Sequence, residues 1–298
     1  MSLTRIDKKL ILICLPIIIA AILVSNLWRF KAPSSEAALA VSLYTEILKE
    51  VNIVGVDFSS LTTTVGYYPA KRVSEDPITA ALMVRILQDA GAAKGSVIAI
   101  NASGSFPGFT LAALAACAAL ELEAHVIASI GSSTFGANVP GATIADMLMK
   151  DSVQSLGHSI LGFTPGGSRD RGLSMDQNEI NRVSRMAQNA GIPFYRPQGL
   201  VEAIELRETL FREVGSTILV NVGGNHAASG ESLEFYLLAG VLDPNEIENY
   251  DDPGLMQSFL RAGRPVIQIL NVRRLYADYG LEFNERGQLL GNTEFLLR

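Results

Sequence analysis

The chain has only two cysteines and three histidines among its 298 residues. Cys14 lies in an apolar run and Cys117 in a helical stretch, so neither a disulfide framework nor a cysteine-built metal site is expected. His125, His158 and His226 are scattered, with no His-x-x-x-His pair, and no metal site is expected from them. The fingerprints G-x-G-x-x-G, G-x-x-x-x-G-K-[ST] and G-x-S-x-G are all missing. A nucleotide role therefore has no motif behind it, no cofactor is expected, and a nucleophilic serine would lack the usual elbow. Aromatic residues are few, at 7%. With Ala and Gly abundant, that favours close helix-on-sheet packing over an all-β sandwich.

Apolar sequence is not lacking. Leu10 to Trp28 carries no charge and is long enough to span a bilayer core as a helix. Arg5, Lys8 and Lys9 precede it and Arg29 and Lys31 follow, a balance that by the positive-inside rule leans to an inside N terminus. No small-x-small cleavage site follows. The expectation is an uncleaved single-pass anchor within residues 1–31, holding an α/β domain of residues 32–298 at the cell membrane, outside the cytoplasm. The chain holds 24 basic and 30 acidic residues; five and one of these fall in 1–31, which leaves 19 and 29, a net of −10 for the remainder. An acidic domain is a poor nucleic-acid binder, and no nucleic-acid partner is expected. An anionic ligand would need a local site.

Short apolar runs alternate with helical stretches. Ser34 and Ser35 cap an amphipathic helix over 36–50, and Val51 to Val56 reads as a first strand. Val97–Ile100, His125–Ile130, Ser216–Val222 and Pro265–Asn271 read as buried strands. Helices are expected over 77–90, 109–122, 143–156, 176–189, 200–214 and 231–239, with one more after Asn271 and a hairpin in the tail. The fold class is α/β: a Rossmann-like, mostly parallel sheet with helices on both faces. The Pro165-Gly-Gly stretch reads as a linker or mobile loop, and two lobes could divide near 162–175.

Three strand-to-helix turns share one grammar: Asn101-Ala-Ser-Gly-Ser105, Gly131-Ser-Ser-Thr134 and Asn221-Val-Gly-Gly-Asn-His226. In a parallel sheet they leave the same edge, where ligands bind. Asn101, Gly104, Ser132, Ser133, Thr134, Gly223, Gly224, Asn225 and Arg169 are the candidate ligand contacts. Their amides, hydroxyls and guanidinium suit a carboxylate. Ser103 and Ser105, like Ser132 and Ser133, are candidate nucleophiles, with His226 as base and Asp57 orienting it. The same serines equally serve as ordinary helix caps and turn residues. Arg171, Arg273 and Arg274 read either as carboxylate grips or as solvated surface charges.

The anchor, Val54-Gly-Val-Asp-Phe-Ser-Ser60, Asn101-Ala-Ser-Gly-Ser-Phe-Pro-Gly108, Gly131-Ser-Ser-Thr-Phe-Gly-Ala-Asn138, the Pro165-Gly-Gly loop and Asn221-Val-Gly-Gly-Asn-His226 together resemble the poly-γ-glutamate system protein family. That family accompanies bacterial poly-γ-glutamate (capsule or slime polymer) synthesis and export. The resemblance runs over nearly the whole chain. It implies an accessory protein whose partners are membrane-embedded synthase or export subunits and the γ-glutamyl polymer or its chain end. It implies no reaction. The alternative is a serine-dependent hydrolase or transferase acting on γ-glutamyl amide bonds.

Overall fold

The computed structural model describes residues 34–247 and 251–297. The expected anchor lies outside the described residues. Among the described residues, no helix is long and apolar enough to cross a membrane.

A six-stranded sheet forms the centre. In chain order its strands are β2 (Val97–Ser103), β3 (Glu123–Ser129), β5 (Ser159–Thr164), β6 (Ile218–Val222), β7 (Gly240–Val241) and β8 (Val266–Ile269). They lie side by side as β5-β3-β2-β6-β8-β7. All neighbours pair in parallel except β7, which runs antiparallel to β8. A two-stranded parallel pair joins β1 (Thr62–Thr64) to β4 (Ser132–Ser133). A C-terminal antiparallel pair joins β9 (Glu282–Phe283) to β10 (Leu289–Leu290), as the expected tail hairpin. Strands from both sides of 162–175 share the one large sheet.

The helices are α1 (Ser35–Glu50), α2 (Tyr68–Arg72), α3 (Ile78–Asp89), α4 (Pro107–Ala119), α5 (Ile144–Leu148), α6 (Asp151–Gln154), α7 (Gln177–Asn189), α8 (Leu200–Glu213), α9 (His226–Ser229), α10 (Leu255–Arg261) and α11 (Val272–Asp278). Side chains alternate across a strand, so β2 serves two cores at once. Ile98, Ile100 and Ala102 pack in the larger core with α1, α3, α4 and α11. Ala99 packs in the second core with Phe211 of α8 and Phe259 of α10. Helix α4 is buried nearly all round, which its small Ala-rich surface permits. At α1, Ser34 Oγ accepts from the Ala37 amide at 3.1 Å, as the cap signal predicts.

Several expected elements differ. Residues 51–56 form no strand. They run beside an irregular loop instead, with Gly55 N–H donating to Phe135 O and Phe135 N–H to Val56 O; a loop offers no continuous ladder. The expected helix over 143–156 is split into α5 and α6, with Lys150 extended between them. The helix expected over 231–239 is reduced to a 3-10 turn at Glu234–Tyr236. Outside the named strands, an isolated parallel bridge joins Phe163 to Phe194.

Candidate functional site

Because β2, β3 and β6 are parallel, their following turns all emerge at one edge. Strand β2 lies between β3, which follows it in the chain, and β6, which comes after the chain has reached β5 and returned. Between β2 and β6 the strand order reverses direction, the position where open α/β sheets accommodate ligands.

The three turns touch. Gly104 N–H donates to Ser129 O at 2.9 Å and to Gly131 O at 3.2 Å, and Ser132 Oγ donates to Gly104 O at 2.9 Å. Ser133 N–H donates to Ser105 Oγ at 3.0 Å. Ser103 Oγ donates to Val222 O at 3.2 Å. At Gly223, φ is +98°, and a Cβ there would stand 2.1 Å from Ser103 Oγ. Only glycine meets both demands. A narrow crevice with about 140 Å³ of empty space runs beside this third turn, lined by Gly223, Gly224, Asn225, Tyr236 and Leu270 among others. It has no room for a small molecule unless side chains move.

Much of the rim's polar chemistry is turned inward. Ser103 and Ser132 donate their hydroxyl protons to backbone carbonyls. Thr134 Oγ1 accepts from Gly66 N–H at 2.8 Å and lies 3.2 Å from Gly66 O. Asn225 Oδ1 accepts from Ala228 N–H at 2.8 Å, capping α9, and its buried Nδ2 has no partner. Ser133 Oγ is also buried without a partner. His226 Nδ1 accepts from the Arg169 amide at 3.3 Å, and among the described residues no hydrogen bond joins it to a serine. Asp57 is exposed and has no hydrogen bond to His226. The Arg169 guanidinium is 62% exposed and 3.8 Å from Glu231.

Beneath the rim lies a polar layer that the sequence reading passed over. Arg207 of α8 is fully buried. Its Nη1 is 2.8 Å from Asp170 Oδ2 and donates to Ala203 O at 2.9 Å. Its Nε donates to Asn101 Oδ1 at 2.9 Å. Its Nη2 reaches Ser129 Oγ and Thr164 Oγ1 at 3.0 and 3.1 Å. These contacts employ every side of the guanidinium, so it ties strands together rather than facing a guest. From Asn101 the network continues across the sheet: Asn101 Nδ2 donates to Asn221 Oδ1 at 2.7 Å, and Asn221 Nδ2 to Gln268 Oε1 at 2.6 Å. Sheet register makes this possible, for Asn101 pairs with Asn221 and Asn221 with Gln268. A signal for Arg207 was present: Ala203, Arg207 and Phe211 recur every fourth residue and all three are buried, so the arginine lies on the apolar stripe.

The Pro165-Gly-Gly loop, read from sequence as a linker or mobile loop, carries an internal hydrogen-bond network. Gly166, Gly167, Arg169 and Asp170 all have positive φ, and the last two are not glycine. That turn brings the Asp170 carboxylate inward, where Oδ1 accepts from Gly166 N–H and Thr164 Oγ1, both at 2.8 Å. The strained backbone, on the order of 1–3 kcal/mol per residue, is held by this buried pair.

The second group the sequence reading missed is Lys71 of α2. It is 2% exposed, and its Nζ donates to Ser105 O and sits 3.1 Å from the Phe106 ring centroid. No carboxylate among the described residues pairs with it. Burial holds its ammonium well below the ordinary lysine range. No periodicity marks it, since α2 is too short to show one. Among the described residues, no cluster of His, Cys, Asp and Glu could hold a metal ion.

No family model matches the chain, and no curated protein does. Among solved structures, it is similar to O-ureido-L-serine synthase at 12% identity, with a TM-score of 0.22 over 50% of this chain and 45% of that one. A hydrogen sulfide-producing enzyme from Fusobacterium nucleatum matches at 11% identity and TM-score 0.23, covering 60% and 55%. Diaminopropionate ammonia lyase from Escherichia coli matches at 13% identity and TM-score 0.20, covering 64% and 53%. The chain thus spans about half the length of each. At such scores the likeness decides neither fold nor activity.

Proposed function

We propose that this chain is a membrane-anchored accessory protein of poly-γ-glutamate synthesis or export, with a Rossmann-like domain that engages a carboxylate-bearing ligand at its loop edge. One observation supports the binding site: turns far apart in sequence meet at the carboxyl ends of β2, β3 and β6, where the strand order reverses. The process comes from the family resemblance and the anchor from residues 10–28. With a net charge of −10 outside 1–31, the domain suits a chain end or a single γ-glutamyl unit better than a long polyanionic strand.

Titration calorimetry of the full chain in detergent, with short γ-linked and α-linked glutamate oligomers, tests the ligand. The expected result is binding of the γ-linked series, weakened by Gly223→Ala and by Arg169→Ala. Equal binding of both series, or binding indifferent to both substitutions, would overturn it. Deleting the gene in a polymer-producing cell tests the process: polymer that is lost, retained inside or altered in length supports the reading, and unchanged polymer overturns it.

The hydrolase reading has less support: among the described residues His226 makes no hydrogen bond to a serine, and its Nδ1 accepts from Arg169 N–H.

A further inference from the structure

We propose that the crevice beside the third turn is a carboxylate site, in which the Asn225 side-chain amide donates to a carboxylate oxygen and the Tyr236 ring is the lid. The inference rests on the loop edge being a binding site and names the group that receives the ligand there. It does not rest on the polymer.

The first observation is a buried donor with nothing to donate to. Asn221, Asn225, Ser229 and Gln268 are the polar amide and hydroxyl side chains that line the crevice. Asn221 and Gln268 use both ends of their amides, on each other, on Asn101, and on the carbonyls of Gly223 and Phe235. Ser229 Oγ donates to Gly230 O at 3.5 Å. Asn225 Oδ1 is likewise taken, by Ala228 N–H at 2.8 Å and by Asn101 Nδ2 at 3.3 Å. Asn225 Nδ2 alone among these is buried without a partner. A stranded donor is costly. A guest that relieves it must bring an acceptor oxygen, which excludes a cation.

The second observation gives that acceptor its charge. Arg207 Nε donates to Asn101 Oδ1 at 2.9 Å, and Asn101 Nδ2 in turn donates to Asn225 Oδ1. Each bond polarises the next in the same sense. The branch ends at Asn225 Nδ2 with its hydrogens made more positive, which favours a carboxylate oxygen over a neutral carbonyl. Phe235 and Met256 form an apolar wall of the same crevice, suited to the short aliphatic part of such a ligand.

The third observation is what closes the crevice. It holds about 140 Å³ of empty space, and Tyr236 is the side chain that moves to admit a guest. A Cβ built on Gly224 would stand 3.0 Å from Tyr236 Cε1 and 3.2 Å from Leu270 Cδ2, so the ring lies over bare backbone. The Tyr236 hydroxyl has no hydrogen bond among the described residues, and packing holds the ring in place. Its 3-10 turn is seated by buried Phe235, while Leu233 and Leu237 on either side are 78% and 69% exposed.

Full-length protein in detergent is titrated calorimetrically with glutarate, with uncharged glutaramide of the same chain length, and with γ-linked diglutamate. The expected result is binding of both carboxylates and none of glutaramide. Tighter binding of glutarate points to a free small acid and tighter binding of diglutamate to a chain end; either supports the site. Asn225→Asp keeps the oxygen that caps α9 and removes only the donor, so carboxylate binding should weaken about tenfold or more. Asn225→Ser keeps a capping hydroxyl one bond shorter than the amide and gives the same comparison where a melt shows the aspartate variant to be unfolded. Tyr236→Ala should bind more tightly, because no ring has to be displaced. Glutaramide binding as well as glutarate, or wild-type affinity in a folded Asn225 variant, would overturn the site. Equal or weaker binding by Tyr236→Ala would overturn the lid. Carboxylate binding kept by the Asn225 variants but lost in Arg169→Ala would remove this site and leave the loop-edge reading standing. Glutarate binding that depends on Asn225, with γ-linked and α-linked glutamate bound alike, would remove the polymer reading alone.

Discussion

Arg207 Nη1 and Asp170 Oδ2 lie 2.8 Å apart with both side chains buried, one from α8 and the other from the Pro-Gly-Gly loop. Removing one member of such a pair leaves a bare charge in the interior, which costs about 3–5 kcal/mol. Asp170→Ala is expected to fall in that range in urea unfolding, and to release the left-handed turn at 169–170 to proteolysis. Asp170→Leu combined with Arg207→Met is expected to lose less than the two single changes added together. Additive losses would show that the two residues act independently.

Gly223 joins the first and third turns of the rim. Its φ of +98° and the 2.1 Å that would separate an added methyl carbon from Ser103 Oγ put two penalties on Gly223→Ala. The expected loss is about 2 kcal/mol or more. Ser103→Ala in the same chain removes the clash and leaves the backbone penalty, so it should restore part of the loss. Thermal melts of the two variants and their combination give the answer, and an unaltered melt for Gly223→Ala would mean that the turns do not meet.

These turns were readable because each follows a continuous apolar run, the pattern of a covered strand. Val97–Ile100 and Ser216–Val222 carry that pattern through to β2 and β6. Strand β5 was missed because Gly162 interrupts it and Pro165-Gly-Gly follows, so its end reads as loop. Gly162 is there because a side chain would strike the Tyr195 ring, a contact that no local pattern reveals. Residues 51–56 carry a strand's composition but have no strand beside them. The convergence of the turns follows from parallel topology and was legible; the inward direction of their hydrogen bonds was not. Arg207 was legible from its four-residue spacing and was passed over, whereas Lys71 acquires its character wholly from tertiary burial.

His158 makes stability depend on pH. Burial pushes its ring down to about 4 from 6.5, and neither ring nitrogen has a hydrogen-bond partner. The unfolded chain takes up this proton near the ordinary value, the folded chain only near 4. The contribution is therefore whole above about pH 6.5 and is lost as pH falls towards 4. Comparing urea unfolding at pH 7 and pH 5, wild type is expected to lose on the order of 2 kcal/mol through this residue. His158→Phe should show a correspondingly smaller drop between the two pH values, whatever its absolute stability. An identical drop in both proteins would assign the acid sensitivity elsewhere.

The amides beneath the rim all point one way. Arg207 Nε donates to Asn101, Asn101 Nδ2 to Asn221, Asn221 Nδ2 to Gln268, and Gln268 Nε2 to the Phe235 carbonyl at 3.1 Å. A buried cation starts the chain and a carbonyl ends it, so each amide is polarised in the same sense. Asn101→Asp separates direction from charge. It sets a carboxylate beside Arg207, which charge alone would reward, but it turns an acceptor towards the acceptor Asn221 Oδ1. Asn221 cannot simply flip, because its Nδ2 already serves Gln268 and Gly223 O. The expected outcome is destabilisation of about 1–3 kcal/mol, the range for a buried polar group left unsatisfied. Asn101→Leu, which strands both Arg207 Nε and Asn221 Oδ1, should lose at least as much. If Asn101→Asp proves as stable as wild type, the added ion pair outweighs the reversed contact and the direction of the chain carries no energy of its own.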